Sequence, residues 1–323
     1  MIHLAKRREL KFPDGSILRT PALIPSFSSR VPKIDDIFRA VEDIVDGPIL
    51  ISAYDVKRGH LNPPYGYGSA VFLDSGGYEA SKDLGLSDVG DQPDQEKEWT
   101  EQEHAETLSQ WALRLPLVVI SYDHPRLRLP IADQIRRATQ MRIPENALRE
   151  ILMKPETTSQ HFIQIESIQK AIHNLASFNI VGITEKEIGN SVFDRMVNIA
   201  KLRTSLNAVG IESPIHVFGS LDTITTLLYF VAGADIFDGL TWLRYAFMDG
   251  RTLYRQQFGI TDIGLSVKSP KVEAVCWSKN YHYLKDMELE MRRFLNSHDF
   301  SVFKYHSELL KSALESIEEE VGK

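Results

Sequence analysis

Ile215-His-Val-Phe-Gly-Ser-Leu-Asp-Thr-Ile-Thr-Thr-Leu-Leu-Tyr-Phe-Val-Ala-Gly-Ala-Asp-Ile-Phe-Asp238 reads as strand, helix and strand. Ile215–Phe218 and Asp235–Phe237 are short apolar runs that stop at Gly or a carboxylate. Ser220–Gly233 between them has helical spacing, and Gly233 is placed to supply its C-cap. Working outward, six more runs follow the same grammar: Leu23–Phe27, Ile49–Ala53, Ala70–Leu73, Leu117–Ser121, Phe162–Ile165 and Ile180–Ile183. Several are unbroken and β-branched, which suits strands buried on both faces of a parallel sheet. Helical stretches lie between most of them. Trp99–Leu113 opens with the capping-box pattern Thr100-Glu-Gln-Glu103, and Thr184–Leu206 is another. Eight strand–helix alternations predict an α/β chain folded as a (β/α)8 TIM barrel. A doubly wound open sheet has the same periodicity and is the alternative.

Two regions stand outside the alternation. Met1–Thr20 reads as a β-hairpin turning at Pro13-Asp14-Gly15. Residues 264–323 read as a C-terminal helical extension packed on the barrel, with amphipathic helices at Glu288–Leu295 and Tyr305–Glu320. The expected division is therefore 1–263, barrel with its hairpin, and 264–323, extension. The charged, Gly-containing stretch 83–98 reads as a mobile loop.

Of 323 residues, 43% are hydrophobic and 25% charged, with net charge −7, which excludes long disorder and collagen-like or disulfide-scaffold classes. The longest apolar runs, Leu115–Ile120 and Leu227–Ala232, fall far short of the roughly 20 residues of a membrane helix. The single Cys276 forbids an internal disulfide, and the first residues lack a signal peptide's apolar core. A cytoplasmic protein with no membrane partner is expected.

In such barrels the reacting groups sit at the C-terminal ends of strands. Asp74, Asp123, Glu166 and Asp238 each follow a run, so four carboxylates are expected to converge on one mouth. That crowding needs a proton, a cation or a substrate to relieve it. Any one of them could instead cap the following helix. In Asp74-Ser-Gly-Gly-Tyr78, Gly76 and Gly77 let backbone approach a flat ligand, and Tyr78 offers a ring to stack on it.

With those residues in view, the chain resembles the tRNA-guanine transglycosylase superfamily, barrels that exchange guanine for a 7-deazaguanine. Asp74-Ser-Gly-Gly-Tyr78 matches its signature Asp-Ser-Gly-Gly-Phe/Tyr. Thr20-Pro-Ala-Leu-Ile-Pro25, Ser52-Ala-Tyr54, Ser121-Tyr-Asp123, Val181-Gly-Ile-Thr-Glu-Lys-Glu187, Val217-Phe-Gly219 and Gly233-Ala-Asp-Ile-Phe-Asp238 resemble further family motifs in the same order. Ile165-Glu-Ser167 falls where the family has Val-Gln-Gly and matches it poorly.

The resemblance implies roles. Asp238 would be the nucleophile on the sugar C1′ and Asp74 the general acid/base, the two-carboxylate logic of retaining glycosyl transfer. Asp123 would accept from the base edge, Ser75, Gly76, Gly77 and Tyr78 would frame the base, and Gly182, Ile183 and Glu187 would contact it. Glu166 stands where the family has a base-reading glutamine, which both donates and accepts, whereas an ionised glutamate only accepts.

Two other departures matter. The family's structural zinc site needs three cysteines and a histidine; Ser278-Lys-Asn-Tyr281 aligns the region so that Ala274 replaces the last cysteine and Cys276 is out of register. No cofactor is therefore expected, although Cys276 with His282, His298 or His306 is an alternative metal set. The arginine motif after the nucleophile reads Leu240-Thr-Trp-Leu-Arg-Tyr-Ala-Phe-Met-Asp249, keeping Arg244 but placing Phe247 at the second arginine position. The altered motif favours the DNA-modifying branch, which inserts bases such as preQ0 into DNA, with tRNA as the alternative polynucleotide. Arg244, Arg251 and Arg255 are the main phosphate-contact candidates; Lys57, Arg58, Arg126 and Arg128 are others. Family members often dimerise through the zinc-bearing region, so a homodimer or another protein partner is an open expectation. A non-catalytic partner subunit is a further alternative, although such subunits tend to lose the carboxylates this chain retains.

Overall fold

The computed structural model describes residues 3–65, 67–81, 98–112, 114–124 and 126–321. Eight parallel strands form one sheet: β1 (Ala22–Pro25), β2 (Ile49–Ser52), β3 (Val71–Asp74), β4 (Leu117–Ile120), β5 (Ala147–Met153), β6 (Ile180–Thr184), β7 (Ile215–Phe218) and β8 (Ile236–Gly239). β8 pairs with β7 on one side and with β1 on the other. The remaining edge, between β1 and β2, is drawn together by a Ser26–Leu50 bridge and a Phe27 N–H donated to Leu50 O at 2.9 Å. The sheet is thus a nearly closed (β/α)8 barrel, not an open doubly wound sheet.

Period-2 alternation divides the strand residues between two cores. Ile24, Leu50, Phe72, Val118, Ile120, Leu148, Leu152, Ile180, Phe218 and Ile236 fill the barrel interior. Their chain neighbours, among them Leu23, Ile51, Val71, Val119, Ile151, Val181, Val217 and Phe237, face the surrounding helices. The hairpin Glu9–Lys11/Ile17–Arg19 forms as expected, and its Leu10 and Phe12 join the interior cluster. Arg8 beside it donates to Asp235 Oδ1 at 2.6 Å, just before β8, so the hairpin seals the N-terminal end of the barrel. One end is plugged and the other is left open.

One expected strand is wrong. Phe162–Ile165 is no strand; the fifth strand is β5, and helix Ile165–Lys170 follows it. Arg149 and Glu150 interrupt the apolar pattern of β5, but both are accommodated. Arg149 donates to the Ala138 and Met141 carbonyls, and Glu150 is paired inside the barrel. The stretch expected to be helical from Thr184 begins with a short 3-10 turn at Glu185–Glu187. Its helix starts at Val192, where Ser191 and Asp194 form a capping box. The capping box Thr100/Glu103 opens helix Glu101–Ser109. The stretch 83–97, expected to be a loop, lies outside the described residues.

Past β8 the chain makes a turn of helix, Thr241–Arg244, and a hairpin, Tyr245–Met248 with Arg251–Tyr254. The extension is one long helix, Ser269–Ser297, packed on that hairpin and β1, followed by Ser307–Val321 packed on helices Val192–Ala208 and Thr225–Val231. Among the described residues, no helix is long and apolar enough to cross a membrane.

Candidate active site

The open end of the barrel holds a cavity of about 770 Å3, within the roughly 300–1,000 Å3 of small-molecule sites. Its lining includes Asp74, Gly77, Tyr78, Asp123, Glu187, Asp238, Arg244 and Arg251, so these expected site residues are brought to one place. Ser26, Glu79, Arg128, Lys154, Lys186 and Asp222 join them.

Asp238 is the penultimate residue of β8, two residues after Ile236, which puts it on the interior face. Its Oδ2 accepts from Ser26 Oγ at 2.7 Å and its Oδ1 from the Gly219 N–H at 3.1 Å. His216 Nε2 lies 3.2 Å from the same Oδ1. Each oxygen thus accepts one hydrogen bond, and Oδ1 also faces the imidazole nitrogen at charge-contact distance.

Asp74 ends β3 two residues after the interior Phe72. Its Oδ2 accepts from the Gly76 N–H at 3.1 Å. Burial pushes its carboxyl up to about 6; the Gly76 N–H opposes this, while the charges of Asp123 and Asp238 add to it. Gly76 reaches this position at φ +91°, and a Cβ there would come within 2.4 Å of Tyr54 Cβ. A Cβ on Gly77 would meet Asp123 Oδ2 at 2.8 Å. The glycine pair thus admits the turn and leaves room for the Asp123 carboxylate. Ser75 lies behind that turn, fully buried, with its carbonyl accepting from Trp99 Nε1 at 2.7 Å. Ser75 and Gly76 shape the cavity without lining it.

Asp123, just past β4, faces Lys154 just past β5. Lys154 Nζ is 3.2 Å from Asp123 Oδ2, 2.9 Å from Glu187 Oε2 and 3.1 Å from Thr184 Oγ1. Arg128 adds charge contacts at 3.8 Å to Asp123 and 3.5 Å to Glu187. Burial works against the Lys154 ammonium, but the two carboxylates outweigh it and hold the proton more firmly than usual. Burial likewise pushes Glu187 up, yet Lys154, Thr184 and Arg128 together hold it below the usual carboxylate range.

Glu166 is corrected. It lies exposed on helix Ile165–Lys170, outside the cavity lining, and the mouth of the fifth strand carries Lys154 instead. Gly182 and Ile183 do not line the cavity either. Ile183 faces the helices, and Gly182 sits inside the barrel below Phe218. Tyr78 is half-buried at the rim; Arg30 lies 5.2 Å from its ring centre and Arg244 donates to its hydroxyl at 3.4 Å. Arg255 turns away, to Glu273 and the Leu243 carbonyl. Lys57 and Arg58 pair with Glu106 and Glu103. Of the proposed phosphate contacts, Arg128, Arg244 and Arg251 stand at the cavity. Phe247 is buried and its N–H is taken by Asn280 Oδ1 at 2.7 Å.

Sequence reading missed Ser26, Lys154 and a buried pair beneath the cavity, Glu150 and His216. A charge inside an otherwise apolar strand was the available signal for Glu150. His216 lies inside the apolar run Ile215–Phe218, where a lone polar residue was the available signal.

Cys276 and the histidines weighed as an alternative metal set do not gather. Cys276 is buried among Ala246, Phe258 and Val272, and burial pushes its thiol up to about 11. His282 Nδ1 contacts Ser278 O, His306 Nε2 contacts Gly250 O, and His298 lies against His3. Among the described residues, no cluster of three His, Cys, Asp or Glu side chains could hold a metal. Among the described residues, the single thiol and the scattered histidines do not fit a Cys3His zinc site. In comparisons with known proteins, the chain matches no protein-family model and no curated protein.

Proposed function

We propose that the protein is a base-exchange transglycosylase that replaces guanine with a 7-deazaguanine such as preQ0 in a polynucleotide, DNA being favoured. The observation that carries this reading is the pair Asp74 and Asp238 on one cavity in contrasting settings. Asp74 is lifted to about 6, so it trades a proton near neutrality, whereas both oxygens of Asp238 accept from neighbouring donors. In the first step Asp238 attacks C1′, the C1′–N9 bond breaks, and its electron pair leaves on the base, which takes the Asp74 proton. In the second, the entering base gives its N9 proton to Asp74 and forms C1′–N9, and the C1′–O bond returns its pair to Asp238. Two inversions retain the β configuration.

The base edge would meet Asp123 as acceptor and Lys154 as donor, 3.2 Å apart. That alternation complements a guanine edge, which offers N–H groups beside a carbonyl oxygen. Arg251 is exposed at the rim and would meet a phosphate of a flipped nucleotide, while the buried Arg244, which donates to the Tyr78 hydroxyl, lines the cavity beside it. Burial of Phe247 means that the second arginine position of the family's polynucleotide motif faces the core, which favours a polymer other than tRNA.

The test is a paired exchange assay with labelled preQ0 and either duplex DNA or total tRNA. Incorporation into DNA that disappears in Asp238→Asn is expected. Incorporation into tRNA alone would make the protein a tRNA enzyme. Turnover that survives Asp238→Asn would overturn the nucleophile, and incorporation into neither would favour the partner-subunit reading.

A further inference from the structure

Beneath Asp238 the barrel buries a second pair of titratable groups. His216 on β7 and Glu150 on β5 are both wholly inaccessible, and His216 Nδ1 lies 2.8 Å from Glu150 Oε1. β6 runs between their strands, and the residue beside both is Gly182. A Cβ there would fall 2.9 Å from Glu150 Oε1 and 2.7 Å from the Phe218 ring. The missing side chain is what lets Glu150 reach across a strand to His216. The imidazole is stacked on Phe218 at 3.9 Å and meets Phe72 edge-on, and Nε2 points toward Asp238 Oδ1. Its charged neighbours are Glu150 and Asp238. Burial alone would strip the imidazolium of its proton; the Glu150 carboxylate and Asp238 outweigh it and lift the group to about 9.

We propose that His216, held by Glu150 through the gap at Gly182, is a positioning residue that drives release of the sugar from Asp238. This rests on the transglycosylase reading above. The Gly219 N–H donates to Oδ1 and His216 Nε2 faces that oxygen at 3.2 Å, which leaves Oδ2, bonded to Ser26 alone, as the attacking oxygen. When C1′–Oδ2 forms, Oδ1 becomes the ester carbonyl oxygen and the Asp238 charge is lost. When the entering base forms C1′–N9 and C1′–Oδ2 breaks, the electron pair restores the carboxylate beside the imidazolium. The His216 proton stays on Nε2 throughout. A fixed positive charge there favours the carboxylate over the ester. It therefore slows formation of the covalent intermediate slightly and speeds its breakdown.

The experiment follows the covalent protein–polynucleotide adduct on denaturing gels, with duplex DNA and total tRNA as probes. Formation is timed without added base, and decay is timed after a chase with preQ0 or guanine. In Glu150→Gln and His216→Phe the decay should slow by about tenfold or more while formation is no slower, so adduct accumulates. His216→Gln keeps a donor without the charge and should slow decay nearly as much. Glu150→Gln preserves volume and a hydrogen bond to Nδ1, so it remains informative if His216→Phe fails to fold. Equal slowing of both steps, or unchanged decay, would overturn the role of His216 alone. Absence of any Asp238-dependent adduct in the unsubstituted protein would overturn the transglycosylase reading, and this inference with it.

Discussion

Lys154 Nζ lies 3.2 Å from Asp123 Oδ2 and 2.9 Å from Glu187 Oε2, so one buried ammonium holds two carboxylates at the barrel mouth. Lys154→Met keeps the stem and deletes the charge. The two carboxylates are then left facing each other with Arg128 as their nearest cation. We expect a loss of about 3 kcal/mol at pH 7, in the range for breaking a buried pair from one side, and a rise in the KM for the entering base larger than the fall in kcat. Glu187 is held below its ordinary value, so its contribution is present at neutral pH and lost as pH falls through the carboxylate range. The variant's melting temperature should therefore approach that of the unsubstituted protein at acid pH. Equal deficits at all pH values would contradict the charge argument.

Asp74 sets the pH dependence of the first step. With its carboxyl lifted from 3.8 to about 6, the acid form that protonates the leaving base disappears as pH rises through 6. Single-turnover formation of the adduct should fall about tenfold per unit above that point, and Asp74→Asn should be slow and flat with pH. The same shift has a stability consequence. Because the native value is raised, the stabilising contribution of the protonated group is full below 3.8 and is lost as pH rises through about 6. Asp74→Asn should remove that loss, readable as a smaller change in melting temperature between pH 5 and pH 7.

At the sealed end, Asp235 Oδ2 accepts from Arg203 at 2.5 Å and from the Ile215 N–H at 2.8 Å, while Oδ1 accepts from Arg8 at 2.6 Å. Burial lowers the Arg203 guanidinium to about 10, against the pull of Asp235. Asp235→Asn strands two buried cations and should destabilise by about 3–5 kcal/mol. A urea midpoint shifted at constant slope would show it. Activity of the folded fraction should change little, since the site lies at the other end of the barrel.

Glu166→Gln should leave the preference among guanine, preQ0 and related bases unchanged, because the side chain is exposed on its helix. Competition between labelled bases measures this directly. A changed ranking would require Glu166 to reach the cavity.

Much of the barrel was legible in the chain. Strands with unbroken apolar runs, such as Leu117–Ile120, need no knowledge of their neighbours, because burial on both faces demands apolar residues at every position. The hairpin turn at Asp14-Gly15 and the Thr100/Glu103 capping box are equally local. β5 was illegible for the opposite reason. Its Glu150 is tolerable only because His216 stands two strands away and Gly182 leaves the path open, and neither fact lies within reach of a local pattern.

The same division runs through the site. Local sequence determined the alternation of strands and helices and the carboxylates Asp74, Asp123 and Asp238 at strand ends, since period 2 and strand termini are properties of a few adjacent residues. Only the tertiary structure decided which groups compensate them. It brought Lys154, Ser26 and His216 to those carboxylates and carried Glu166 away. Charges buried together interact through space at a few ångströms, across strands far apart in the chain, and no local pattern encodes that distance.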